Sequence, residues 1–336
     1  MKRLFFLSLL MLLALSSCRD DIVLKNNPEN VFLAFWNTMN ERYVYFEEKR
    51  IDWDSIYTIY YPKAVVAKNE NELFGIMSEI IVQFKDQHLS LAKNQNDLIR
   101  YQPVSDDYYY PYMKNYGFIA APKLNDKFFD TYQHATKNYA YVLYSSFAFD
   151  QDLSFVISNL DSLNYRDGLI LDIRNNSGGH GYEMFKIASL FYDGEKVLFY
   201  KMPKINKGKD DFSTLIPFKY TGKNIVSGTV PVILLTGART YSAGNLFAYI
   251  MNDLPNCTTV GKPTGGGGSP LKSEYMPNGW VLSYPYIKNF SSKGDNMENG
   301  LEPDVYVNFD FKKDSLDTQL IKALSMLDSI NSIKKI

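Results

Sequence analysis

Apolar residues recur at helical spacing near the start of the chain. Phe32, Phe35, Trp36, Met39 and Tyr43 fall on one face. Asn27 and Pro28 ahead of them supply a cap and a proline at the first helical position. A second helical pattern runs from Trp53 to Val66, with Pro62 placed to break or kink it. A third follows Asn71, with Leu73, Ile76, Met77, Ile80, Ile81 and Phe84 in register. The chain then turns at Lys85-Asp86-Gln87-His88 into the alternating stretch Leu89-Ser90-Leu91. These patterns predict a small helical domain over residues 27–93. Residues 94–138 are polar, Tyr-rich and poorly periodic, and are expected to form a connecting segment.

From Tyr139 the pattern changes. Ala140 to Phe147 reads as a strand, and Gly168 to Ile173 is a short continuous apolar run, as expected of a strand buried on both faces. Met184, Ile187, Leu190 and Phe191 then follow at helical spacing. The alternation repeats: a strand at Val230 to Thr236, a helix from Ser242 to Asp253, a strand at Thr258 to Val260. A last helix is expected near 314–330, with Leu316, Leu320, Leu324 and Leu327 on one side. Alternating strands and helices predict an α/β core over 139–336.

The first residues carry a different signal. Lys2 and Arg3 precede an almost wholly apolar run from Leu4 to Leu15, too short to span a bilayer and suited to the core of a signal peptide. The run ends in Leu15-Ser16-Ser17-Cys18, which resembles a bacterial lipobox. Residues 1–17 are therefore expected to be a signal peptide, Cys18 an acylated N-terminus and 18–26 a tether. The alternative is an ordinary signal peptide with Cys18 incidental. Such a chain is exported and anchored to the cell envelope, the outer membrane being the expected site; the membrane face stays open. Only one further cysteine, Cys257, is present, so with Cys18 acylated no intrachain disulfide forms and core packing must hold the fold. Two cysteines and three histidines supply no strong metal constellation. A formal net charge of -1, without basic or acidic blocks, gives no sign of nucleic-acid binding.

Chemistry is suggested where a strand meets a helix at Thr240-Tyr241-Ser242-Ala243-Gly244. A serine there sits at a sharp corner beside the positive end of a helix dipole, and the Ala243 amide is able to point at the same place. The same position also suits a purely structural N-cap serine. The nucleophile elbow of α/β-hydrolases does not fit, because position 240 is Thr and no histidine follows His180.

Three segments carry a family resemblance: Leu171-Asp172-Ile173-Arg174-Asn175-Asn176-Ser177-Gly178-Gly179, the stretch around Ser242 with Val260-Gly261-Lys262-Pro263-Thr264, and Gly300-Leu301-Glu302-Pro303-Asp304-Val305. In order and spacing they resemble the tail-specific, or carboxy-terminal processing, serine peptidases. That resemblance covers about 168–305 and implies a crotonase/ClpP-like spiral α/β core after the helical domain, with no cofactor. It implies Ser242 as nucleophile, and Ala243 with Gly178 or Gly179 as oxyanion donors. Many members use a lysine as base; here the matching position is Gly267, and Lys262 lies in another register. The stretch Asp86-Gln87-His88 resembles the Asp-Gly-His of the tricorn-core-like branch, which is similar to a Ser-His-Glu arrangement, with Gln87 replacing the usual glycine. By that resemblance His88 is the base. Glu298 is the orienting acid, one residue short of the family spacing, and Glu302 is its alternative. His180 follows the oxyanion turn as a possible substrate contact. Residues 94–138 are too few for the PDZ domain many members carry. The expected activity is peptide-bond hydrolysis through an acyl-enzyme on peptide or protein substrates. The rivals are an inactive ligand- or peptide-binding lipoprotein on the same scaffold, and an esterase.

Overall fold

The computed structural model describes residues 26–103, 113–120, 129–148, 150, 152–309 and 317–333. The leader, Cys18 and the Tyr-rich run at 108–112 lie outside the described residues.

Three helices open the described chain: α1 (Pro28–Arg42), α2 (Trp53–Val65) and α3 (Glu70–Gln83). Each begins on a side-chain cap. Asn27, Asp52 and Asn69 each accept from an amide in the first turn, satisfying donors that have no intrahelical partner. Pro62 does not end α2. It sits in the last turn, exposed, and the helix stops three residues later at Val65. Two short strands follow, β1 (Ser90–Ala92) and β2 (Leu98–Arg100).

The core then runs β3 (Phe118–Ala120), β4 (Phe129–His134), β5 (Tyr139–Tyr144), α4 (Leu153–Asp161), β6 (Gly168–Asp172), α5 (Gly181–Ala188), β7 (Asp193–Pro203), β8 (Ile216–Lys223), β9 (Val232–Thr236), α6 (Ala243–Asn252) and β10 (Cys257–Gly261). It closes with β11 (Leu271–Tyr275), β12 (Val281–Pro285), β13 (Ile287–Phe290), β14 (Val305–Tyr306) and α7 (Thr318–Ile333). A seven-stranded sheet has the order β14-β10-β9-β6-β5-β4-β3. Its five strands from β14 to β5 are parallel, and the last two pairings, β5 with β4 and β4 with β3, are antiparallel. Every residue of β6 and β9 is buried, as central parallel strands require. Side chains alternate between faces. Leu169, Leu171, Val232 and Leu234 pack with α5 and α6; Ile170, Ile233 and Leu235 pack with Leu320, Ala323 and Leu327 of α7. The fold is thus mixed α/β behind an N-terminal helical region.

Two boundaries differ from the sequence expectation. The connecting segment contributes β3 and β4 to the edge of the main sheet, so the core begins before residue 139. The helical domain is not self-contained either. Its core is shared with Met276, Trp280, Leu282 and Tyr284, from the hairpin β11–β12. That hairpin reaches it through a four-stranded antiparallel sheet in the order β11-β12-β1-β2, with Leu91 opposite Leu282. A third sheet, β13-β7-β8, lies beside these.

Candidate active site

Three turns meet at the carboxyl ends of parallel strands. Asp172 of β6 pairs with Leu235 of β9, and Thr236 with Gly261 of β10, so all three strands end at one level. Ligand sites of open α/β sheets form at such ends. The turns are bonded to one another. Thr240 Oγ1 donates to the Ile173 carbonyl at 2.9 Å, and the Tyr241 amide to the Asn176 carbonyl at 3.0 Å. The Ser242 amide donates to the Gly266 carbonyl at 2.9 Å. Beneath the first turn, Arg174 is fully buried and ion-paired to Asp172 at 2.6 Å and to Asp317, ahead of α7, at 2.7 Å.

Ser242 occupies the N-cap position of α6, but its side chain caps nothing. Its backbone stands at φ 56°, ψ -123°, a region that disfavours any residue with a Cβ. This sharp corner turns the hydroxyl away from the helix. Ser242 Oγ lies 3.0 Å from His88 Nε2, across 154 residues of sequence. The connection is structural: the glycine-rich turn bonded to Ser242 leads into β11, β12 pairs with β1, and β1 starts two residues after His88.

Gly178 and Gly179 take positive φ values of 99° and 138°. A Cβ at Gly178 would stand 2.8 Å from the Ser242 Cβ and 2.9 Å from the Ala243 nitrogen, so only glycine lets this turn approach the serine. The Gly178 amide is committed to Asn176 Oδ1 at 2.9 Å. Among the described residues, the amides of Gly179 and Ala243 have no protein acceptor. Gly179 is exposed, and both residues line a cavity with Ser242. The pair of available donors is therefore Gly179 with Ala243.

His88 is buried, and burial pulls its imidazole down to about 4; Asp86 works against this and Lys49 adds to it. The ring is neutral at neutral pH. Asp86 Oδ1 accepts from the His88 amide at 2.8 Å, and Asp86 Oδ2 accepts from the Tyr43 hydroxyl at 2.8 Å. Burial first, and then Asp86, hold the Tyr43 phenol well above its ordinary value. The other face of the ring meets Tyr241, with ring centroids 4.9 Å apart.

Glu298 departs from expectation. It is buried near this cluster, but its Oε1 pairs with Lys49 at 2.7 Å and its Oε2 accepts from the Gly268 amide at 3.0 Å. No hydrogen bond joins it to His88, whose Nδ1 is buried without a partner. The carboxylate bonded to the His88 backbone is that of Asp86. Burial, then Asp86, push the Glu298 carboxyl up to about 7 against the pull of Lys49. Lys49 itself is raised, its burial outweighed by Glu298 and Asp86. Burial and two carboxylates facing one ammonium together set both shifts. Glu302 is exposed. Asp304 is a turn residue, its Oδ2 accepting from the Thr259 amide and hydroxyl, both at 2.8 Å. His180 is exposed at the start of α5 and lines the cavity beside Ser242. Asp86, Lys49, Tyr43 and Tyr241 were not singled out by the sequence. Only Asp86, two residues before His88, left a signal in it.

The position where a lysine base was expected is also explained. Gly267 has φ 79°, and a Cβ there would stand 2.5 Å from Cζ of Tyr241. The tyrosine ring fills the space a lysine would cross. Lys262 does not line the cavity at Ser242. Among the described residues, no group of three or more His, Cys, Asp or Glu side chains is placed to hold a metal ion.

Comparison with known proteins agrees with this architecture. The model of the family "Peptidase family S41" matches residues 138–307, and that of the "Tricorn protease C1 domain" matches 24–82. The chain is 32% identical to the Tricorn protease of Thermoplasma volcanium over 169 residues, covering 48% of this chain and 15% of that protein. It is 28% identical to a Staphylococcus haemolyticus protein named "Probable CtpA-like serine protease", covering 43% of this chain and 28% of the relative. The chain thus spans less than a third of either relative's length. A solved Parabacteroides merdae protein described as a peptidase superposes with a TM-score of 0.79 at 28% identity, over 90% of this chain and 96% of that one. Mature CPAF shares the fold, with a TM-score of 0.64 at 12% identity over 92% and 97% of the two chains. With its family model spanning half the chain and its N-terminal helices matching a tricorn domain, this protein belongs to peptidase family S41.

Proposed function

We propose that the protein is a serine peptidase in which Ser242 is the nucleophile and His88 the general base. The observation that carries this reading is the 3.0 Å contact between His88 Nε2 and Ser242 Oγ at a backbone corner that costs about 1–3 kcal/mol to hold. Nε2 accepts the serine hydrogen, so Nδ1 carries the ring proton. As Oγ attacks the substrate carbonyl carbon, its proton passes to Nε2 and the carbonyl oxygen becomes an oxyanion. The Gly179 and Ala243 amides hold that oxyanion, each worth about 3–4 kcal/mol in the transition state. The imidazolium then gives its proton to the departing amine, leaving an acyl-enzyme. Water, giving a proton to the same ring, attacks the ester carbonyl; as the acyl–Oγ bond breaks, the ring passes that proton to Oγ, releasing the carboxyl product and restoring Ser242. Asp86 favours the imidazolium electrostatically and fixes the His88 backbone; Glu298 belongs to the charged layer behind it.

A fluorophosphonate probe tests the assignment. Labelling of the wild type, with none on Ser242→Ala and a loss on the order of 10³-fold or more on His88→Ala, is expected. A folded wild type that is never labelled favours a binding protein, and turnover of esters without peptides favours an esterase. The lipobox-like Leu15-Ser16-Ser17-Cys18 supports a lipid-anchored envelope protein, the outer membrane being its proposed site. Metabolic labelling with a fatty-acid analogue checks the anchor; equal labelling of Cys18→Ala rules it out.

A further inference from the structure

Two cavities flank Ser242, and they differ in chemistry. One, of about 420 Å³, is lined mainly by Gln87, His88, Arg100, Gln102 and Arg239, with Tyr241 and Leu271 beside them. The other, of about 450 Å³, contains the Gly179 and Ala243 turns and the rings of Phe185, Phe199 and Phe218, with Leu246. These rings form one wall: Phe185 and Phe218 are 4.7 Å apart, as are Phe199 and Phe218. Lys201, on β7, enters the same wall with its ammonium 4.2 Å from the Phe218 ring centre. Among the described residues Lys201 has no carboxylate partner.

The sidedness of the reaction assigns the cavities. His88 must return its proton to the leaving amine, so the leaving segment lies on the histidine side. His88 lines only the polar cavity of the two. The acyl half therefore lies on the side of the oxyanion donors, where its side chain meets the ring-lined cavity. The volume is within the range of ligand pockets, roughly 300–1,000 Å³.

We propose that this ring-lined cavity receives the side chain preceding the scissile bond, selecting aromatic and large aliphatic residues, and that Lys201 excludes cationic ones. The inference rests on the serine peptidase reading. Three physical effects set the preference: the apolar rings reward burial of a large side chain, a small side chain leaves the cavity unfilled, and the Lys201 ammonium repels a lysine or arginine brought into the same low-dielectric space.

Serine-directed aminophosphonate diphenyl esters that differ only in the side chain test this on the full chain. The inactivation rate constant is expected to be at least about 10-fold higher for the phenylalanine analogue than for the alanine analogue. The lysine analogue is expected to be slowest. Lys201→Glu is expected to raise the lysine-to-phenylalanine rate ratio at least about 10-fold, with Lys201→Met giving an intermediate ratio. An alanine analogue as fast as the phenylalanine analogue overturns the proposal, as does a ratio unmoved by Lys201→Glu. If the fluorophosphonate labels Ser242 while side-chain preference is absent, only the pocket assignment falls. If no probe labels Ser242, the nucleophile reading falls and the pocket with it.

Discussion

Ser242 holds a left-handed backbone angle that its own side chain disfavours, and the turns around it enforce that angle through three hydrogen bonds and a packed glycine. Removing the Cβ should release strain that removing only the hydroxyl does not. Ser242→Gly is expected to be more stable than Ser242→Ala by about 1 kcal/mol, both being unlabelled by fluorophosphonate; urea denaturation of the two variants measures it. The His88 ring offers a second check. Burial lowers it to about 4, so the ring stays neutral down to acid pH, as the proposed role of general base requires. The acid limb of kcat/KM should fall with a midpoint near 4 rather than near an ordinary imidazole's value. The same shift weakens the fold in acid: the unfolded chain binds a proton the folded ring refuses, so stability falls as pH drops from about 6.5 towards 4. Ser242 and His88 were legible because each sits in a segment with family-like neighbours. Tyr43 and Lys49 were not, since their meaning lies in contacts with Asp86, 43 residues on, and with Glu298, about 250 residues on.

At the level of elements, the sequence pattern located the helices and the central strands because burial imposes strong periods on both. Pairing was less legible. The hairpin β11–β12 carries no buried residue on β11, and nothing in its local pattern says that β12 joins β1, nearly two hundred residues upstream. Yet that join positions the turn bearing His88. Trp280, 2% exposed at the hairpin's far end, packs edge-on to Phe74 of α3. Trp280→Ala is expected to cost about 3–5 kcal/mol and to reduce fluorophosphonate labelling even in molecules that stay folded. Faster hydrogen exchange across β1, with β6 and β9 unaffected, is the expected signature; unaltered exchange in β1 counts against this coupling.

For the whole molecule, the division into a helical domain and an α/β core describes sequence order better than it describes packing. The apolar core of the helices is closed by Met276, Trp280, Leu282 and Tyr284, so residues 26–93 alone would leave that surface in water. A fragment of that span is expected to lack a cooperative thermal transition by circular dichroism, while the full chain unfolds with one. Two independent transitions in the full chain would contradict the shared core. This interdependence is invisible in a linear pattern, because the residues that complete the first core are hidden in an otherwise polar stretch.

The tyrosine ring above Gly267 also constrains how this site is able to change over evolutionary time. A chain carrying histidine as its base cannot acquire a lysine at residue 267 by a single replacement, since the new side chain would collide with Tyr241 and strain the turn. Shrinking Tyr241 first would remove the ring that flanks His88. On the proposed mechanism, each first step would disturb the existing site before the second completes the alternative. On that mechanism the two kinds of base are separated by a valley that no single neutral mutation would cross, and a laboratory conversion would alter residues 88, 241 and 267 together.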